Sequence, residues 1–215
     1  MTFVVFDLDG LLVDSEQVWD DVREALAHER GGSWHPGAQR DMMGMSSPEW
    51  SRYMHERIGL VESPDEINKI VVERMLARYR AGPPWIPGAL EAVKRIAGSF
   101  TLGLASSSNR ELIDAVLEAG AITTLFRATV SSEEVARGKP APDVYLEAAR
   151  RLGADPGDCV AVEDSHSGIR SAKAAGMACI AIPNAHYSPG DAVGEADAVL
   201  DSIAELTPDA VRLVA

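Results

Sequence analysis

The sequence predicts an α/β protein built on a doubly wound parallel sheet with an inserted α-helical cap, and three observations carry that prediction. Short apolar runs rich in β-formers alternate with stretches of helical periodicity from residue 88 onward. Several of those runs end in polar clusters, at the strand edge where such sheets bind ligands. The alternation is broken by a long helical stretch directly after the first run.

Taken in order, Phe3-Val4-Val5-Phe6 reads as a buried strand, ended where Asp7-Leu8-Asp9-Gly10 must turn. From about Ser15 to Arg80 the pattern is helical: Val18, Val22, Ala25 and Leu26, then Ile67, Ile70, Val71, Met75 and Leu76, recur at helical spacing. Gly82 to Gly88 holds three prolines and two glycines in seven residues and reads as a hinge. A helix is expected over residues 89–97 and a strand over Phe100 to Ala105. Ser108-Asn109-Arg110-Glu111 has capping-box form and should start a helix that stops near Gly120. Val130 marks a short strand, and Asp143 caps a helix running to about Leu152. Cys159 to Val162 is a strand, Gly168 to Ala175 a helix ended by Gly176, Ala178 to Ile182 a strand, and Ala198 to Leu200 the last strand. The implied division is residues 1–14 as the first strand and loop of the core, 15–87 as the cap, and 88–215 as the remainder of a Rossmann-like core.

The hydrophobic and charged fractions, 46% and 25%, are ordinary for a globular chain, so long disordered tails are not expected. The formal net charge of −13 argues against nucleic acid and anionic membranes as partners, since both need a basic surface. It also means that an anionic ligand needs a local positive charge. Cys159 and Cys179 both lie in apolar runs and read as small buried hydrophobes rather than a disulfide framework, which suits a reducing cytoplasm. The apolar run Thr2–Phe6 is cut off by Asp7, so a signal peptide is not expected, and no stretch is long enough to span a bilayer. A monomer is the default expectation.

Four polar clusters follow predicted strands: Asp7/Asp9, Ser106-Ser107-Ser108, Lys139-Pro140 and Glu163-Asp164. Any one alone could be a turn, a helix cap or a solvated lysine. At one edge of one sheet they converge. Carboxylates are oxygen donors suited to Mg²⁺. Serines before a helix favour an anion, and Lys139 offers a compact positive charge. Four carboxylates and one lysine leave a phosphate facing three net negative charges, and a dication reduces that to one. Each unit repulsion at ~4 Å is worth about 4 kcal/mol at an effective dielectric of ~20, so catalysis on a phosphate requires the metal.

Asp7-Leu8-Asp9-Gly10, Ser106, Lys139 and Glu163-Asp164-Ser165 resemble the four motifs of the haloacid dehalogenase-like hydrolases. Asp14-Ser15, Gly138 to Asp143 and Gly168-Ile169 resemble the β-phosphoglucomutase-like branch, which carries a helical cap. The resemblance covers nearly the whole chain. It implies a phosphatase acting on a small phosphorylated metabolite, such as a sugar phosphate, through an aspartyl phosphate. Asp7 would be the nucleophile, Asp9 the general acid and base, and Lys139 the neutralising cation. Ser106, Ser107 and Asn109 would bind the phosphate. Asp7, Asp9, Glu163 and Asp164 would hold Mg²⁺, Asp9 through its carbonyl.

Two other functions compete. A mutase of the β-phosphoglucomutase type would need a histidine and an arginine in the cap, where Trp19 and Ser47 stand, although Arg40 or Arg52 could substitute. A non-catalytic binding protein on this fold would usually lack one of the chemical residues, and none is missing. Asp9 also argues against a dehalogenase. His166 reads as a solvated helix-start residue, and His28, His35, His55 and His186 show no ligand spacing. Met42, Met43, Met45, Met54 and Met75 read as cap core, with Met42 or Met43 a candidate pocket wall. All four tryptophans, Trp19, Trp34, Trp50 and Trp85, fall in the cap or its hinge.

Overall fold

The computed structural model describes residues 2–43, 45–184 and 190–215; Gly44 and His186 lie outside the described residues. Strand β1 (Phe3–Phe6) is buried along its whole length because it pairs in parallel on both sides, with β2 (Thr101–Ser106) and β4 (Cys159–Glu163). The sheet is completed by β3 (Phe126–Ser131), β5 (Ala178–Ala181) and β6 (Ala198–Val199), in the order β3-β2-β1-β4-β5-β6, all parallel. A central strand covered on both faces needs no polar alternation, which is why its sequence reads as an unbroken apolar run. Strand order reverses between β1 and β4. Asp7 follows β1 and Glu163-Asp164 end β4, so the two acidic clusters straddle this switch point, the crevice where such sheets bind ligands.

Between β1 and the rest of the sheet the chain forms α1 (Glu16–Glu29), α2 (Ala38–Met42), α3 (Ser47–Tyr53) extended by a π-turn at Met54–Ile58, and α4 (Pro64–Arg80). Two of these helices start at serine–glutamate capping boxes, Ser46 with Glu49 and Ser63 with Glu66, which supply partners for otherwise orphaned N–H groups. Trp50, Met54, Ile67, Val71 and Met75 form their apolar interior. The chain enters and leaves this segment side by side. Val13 and Trp85 form an antiparallel bridge, Asp14 N–H donates to Pro84 O at 2.7 Å, and Ile86 N–H donates to Leu12 O at 3.0 Å.

Helices α5 (Ala89–Ala97), α6 (Arg110–Ala119), α7 (Asp143–Leu152), α8 (His166–Ala174) and α9 (Pro208–Val214) flank the sheet. The expected capping box at Ser108 does not form. Asn109 is the N-cap of α6, its side chain makes no capping bond, and Arg110 N–H donates instead to Glu133 at 2.9 Å. Asp143 sits in the first turn of α7 rather than capping it. Helix α8 starts earlier than its apolar pattern suggests, because Ser165 Oγ accepts from Gly168 N–H at 3.1 Å. Trp85 belongs with the core: a Cβ on Gly120, which follows α6, would lie 2.8 Å from the Trp85 ring. Cys159 and Cys179 are buried free thiols.

Candidate active site

Asp7 is buried in the turn after β1. Its Oδ1 accepts from Lys139 Nζ at 2.6 Å, and its Oδ2 accepts no hydrogen bond from the described residues. Lys139 is itself buried and also donates to Glu163 Oε1 at 2.5 Å, with Nζ 5.0 Å from the ring centroid of Tyr145. Burial would favour the neutral amine, but the Asp7 and Glu163 carboxylates outweigh it and raise the lysine above its ordinary range. Burial raises Asp7 to about 8, with Lys139 opposing and Glu163 and Asp9 reinforcing. A bound cation would offset that penalty and return Asp7 to its carboxylate form.

Glu163 is fully enclosed and saturated. Oε1 accepts from Lys139 and from Tyr145 Oη at 2.8 Å. Oε2 accepts from Asp164 N–H, Ser165 N–H and Ser165 Oγ at 3.1–3.2 Å. Gly168 makes room for it, since a Cβ there would lie 1.8 Å from Oε1. Asp164, one residue on, differs. Its Oδ1 is buried without a hydrogen-bond partner, and burial followed by Glu163 and Asp7 holds its carboxyl well above the carboxylate range. Oxygen atoms of Asp7, Glu163 and Asp164 lie within 4.8 Å of one another. An orphaned carboxylate oxygen inside an all-oxygen donor set fits a hard cation such as Mg²⁺. A Cβ on Gly10 would lie 2.0 Å from Asp164 Oδ2, so this glycine, at φ +79°, leaves the space that Asp164 fills.

Asp9 is held by four donors. Ser15 Oγ and Trp19 Nε1 reach Oδ1 at 2.5 and 3.4 Å; Ser108 Oγ and Ser106 Oγ reach Oδ2 at 2.7 and 3.3 Å. Two of those donors come from the start of the cap and two from the end of β2. A cavity of about 110 Å³ opens between core and cap, with Asp7, Asp9, Ser107, Ser108, Lys139 and Asp164 on the core side. Glu16, Trp19, Arg23, Trp50 and the methionines Met42, Met43 and Met45 form the cap side.

The structure therefore brings together Asp7, Asp9, Lys139, Asp164 and Ser107. Ser106 and Glu163 stand directly behind them without lining the cavity. Asn109 is turned away, its amide donating to Glu133 at 2.7 Å and Asn68 at 3.1 Å. Arg40 and Arg52 are exposed and do not line the cavity. His166 begins α8 and lines the rim with a half-exposed side chain, 3.8 Å from Asp191. Met54 and Met75 are cap core as expected, whereas Met42, Met43 and Met45 all reach the cavity.

Sequence reasoning missed two residues and misjudged the target of a third. Tyr145 buttresses Glu163; a tyrosine in a helix carries no sign of this. Ser108 belongs to the serine cluster expected to favour an anion, but its hydroxyl donates to Asp9. Arg23 is buried with an unpartnered Nε, its guanidinium carbon 4.6 Å from the Trp19 ring centroid and 4.7 Å from that of Trp50. Glu16, Trp19 and Arg23 follow i, i+3, i+7 spacing, one face of α1, and that regularity was the available signal.

Residues 4–182 match the haloacid dehalogenase-like hydrolase family. The chain is 32% identical to hexitol phosphatase B of Escherichia coli, covering 94% of this chain and 93% of that protein. The crystal structure of CbbY from Rhodobacter sphaeroides with xylulose-(1,5)bisphosphate superposes with a TM-score of 0.83 at 26% identity over 96% of both chains. A putative β-phosphoglucomutase from Thermotoga maritima superposes with a TM-score of 0.75 at 26% identity over the full length of both. Sequence match, sheet order and the inserted helices agree: the chain belongs to the haloacid dehalogenase-like hydrolases, in their β-phosphoglucomutase-like branch, and is a phosphoric monoester hydrolase.

Proposed function

We propose that the protein is a Mg²⁺-dependent phosphatase that hydrolyses the phosphomonoester of a small uncharged alcohol, such as a sugar or polyol phosphate, through a phosphorylated Asp7. The carrying observation is the pairing of Asp7 Oδ1 with Lys139 Nζ at 2.6 Å in the wall of a cavity that Asp9 also lines. Lys139 fixes one Asp7 oxygen, which leaves Oδ2 to attack phosphorus. The bond to the leaving oxygen breaks as Asp9 delivers a proton to it. A water then attacks the phosphoryl group, giving its proton to Asp9, and the Asp7–phosphorus bond breaks to release phosphate. Lys139 and the serine hydroxyls face the charge that develops on the phosphoryl oxygens.

Asp7, Asp164 and the Asp9 carbonyl would hold the metal. When bound, Mg²⁺ supplies positive charge to the phosphoryl oxygens and keeps Asp7 ionised. Glu163 is a positioning residue in this reading, because five donors already occupy its oxygens and one of them is the lysine it orients. The relatives named as a phosphatase and as a sugar-bisphosphate complex support a small phosphorylated substrate.

Acid-quenching a reaction with radiolabelled acetyl phosphate and Mg²⁺ tests the mechanism. Label should attach to the wild-type chain and not to Asp7→Asn. Turnover by Asp7→Asn within about tenfold of wild type would overturn the nucleophile. A chelator should abolish turnover reversibly, and Ca²⁺ should replace Mg²⁺ poorly because it tolerates looser coordination.

A further inference from the structure

Arg23 takes no part in the phosphoryl-transfer steps, yet it is a buried cation whose Nε has no partner among the described residues. It is 6% exposed, and among the described residues it makes no hydrogen bond or ion pair. Its guanidinium lies in the angle between two indoles whose centroids are 5.8 Å apart and whose planes are tilted by 57°. The rings fix its orientation and supply no acceptor. A buried, desolvated donor with no acceptor calls for a partner, and the space that Arg23 lines is the cavity above Asp9. Trp19 links the two, since its Nε1 is 3.4 Å from Asp9 Oδ1.

We propose that Arg23 is the specificity-determining residue of this site, donating hydrogen bonds to hydroxyl groups of an uncharged, polyhydroxylated leaving group. The inference rests on the phosphatase reading above and adds the residue that selects the substrate. The surrounding charge decides between hydroxyls and a second anion. Glu16, Asp20 and Asp9 all act electrostatically on Arg23, and Glu16 lines the same cavity. Lys139, the other lysine or arginine on the cavity wall, is committed to Asp7 and Glu163. A second phosphate would thus meet one guanidinium and more than one carboxylate. Hydroxyls carry no charge, accept from Arg23 and donate to Glu16. The methionines and indoles around them offer an apolar surface to the carbon backbone of such a ligand.

The test compares kcat/KM of wild type, Arg23→Lys and Arg23→Gln with Mg²⁺ on p-nitrophenyl phosphate, a hexitol phosphate and a hexose bisphosphate. Wild type should prefer the hexitol phosphate to the bisphosphate. In both variants the ratio of hexitol phosphate to p-nitrophenyl phosphate should fall at least about tenfold, mainly through KM, as expected for one lost charge-assisted hydrogen bond. Arg23→Lys keeps charge and stem, so it reports on the guanidinium fork even if Arg23→Gln fails to fold. An unchanged ratio in a folded variant overturns the inference and leaves the phosphatase reading standing. Preference for the bisphosphate that disappears in the variants also overturns it, making Arg23 an anion site. No turnover of any of the three by wild type overturns both readings.

Discussion

Ser15 Oγ donates to Asp9 Oδ1 at 2.5 Å, so the first residue before the cap helices holds the carboxylate that serves as proton donor in the proposed reaction. Ser15→Ala should leave the chain folded and lower kcat by about tenfold or less, because Ser106 and Ser108 still orient the other oxygen. Asp9→Asn should be far worse, losing ~10²–10⁴-fold, and its loss should shrink for an aryl phosphate whose leaving group needs less protonation. Steady-state kinetics on alkyl and aryl phosphates decides this; equal losses on both would remove the acid role.

Gly168→Ala offers a test with an inverted sign. In a helix, alanine normally stabilises by about 1 kcal/mol over glycine. Here its Cβ would lie 1.8 Å from Glu163 Oε1, inside a carboxylate locked by five donors. The variant should be destabilised by about 1–3 kcal/mol, as in overpacked cores. It should also lose activity, since Glu163 positions Lys139. Thermal melting alongside turnover checks both.

The metal-free protein should lose stability as pH rises. Burial raises Asp7 from 3.8 to about 8, Glu16 from 4.5 to about 7 and Asp20 from 3.8 to about 6. The folded chain therefore keeps protons that the unfolded chain has released, and stability falls as pH climbs from about 4 through about 8. In chelator, Tm should be lower at pH 8 than at pH 5.5; for a chain of this size each 1 kcal/mol shifts Tm by about 2–4 °C. Glu16→Gln should flatten that decline, which separates its share from the general repulsion of an acidic chain. A decline equally steep in the variant would refute the assignment.

Tryptophan emission should report movement of the cap. Trp19 and Trp50 face the cavity, whereas Trp85 packs on the core and will contribute a constant background. Beryllium fluoride with Mg²⁺ mimics a phosphoryl group on Asp7. Adding it to wild type should change the emission, and adding it to Asp7→Ala should not. Unchanged wild-type emission, with binding confirmed by calorimetry, would mean that the cap does not respond.

Much of this architecture was readable beforehand, for identifiable reasons. Strands such as Phe3–Phe6 and Cys159–Glu163 are buried on both faces, so their apolar runs stand out, and topology then obliges the residues that follow them to meet. What stayed hidden depends on direction rather than position. Among neighbouring hydroxyls, Ser107 and Ser108 reach the cavity while Ser106 turns beneath it, a choice set by the local turn. Glu163 stands in the oxygen cluster that its adjacency to Asp164 suggests, but the donors that hold its Oε1 come from Lys139 and Tyr145, distant in sequence. Arg23 could not be told from a solvated helix residue until the cap's orientation over the sheet was known.

The bridge between Val13 and Trp85 has a consequence for how this protein could have diversified. Because the two ends of the intervening segment are already hydrogen-bonded to each other, the sheet experiences that segment as a closed loop. Loop-closure entropy grows only slowly with length, about 0.6 kcal/mol per doubling. Exchanging residues 16–84 for a longer, shorter or differently shaped cassette would leave Asp7, Lys139 and Asp164 in the loops that the sheet anchors, so in the proposed reaction the chemical groups stay with the core while the opposite wall of the cavity can be replaced at a single junction.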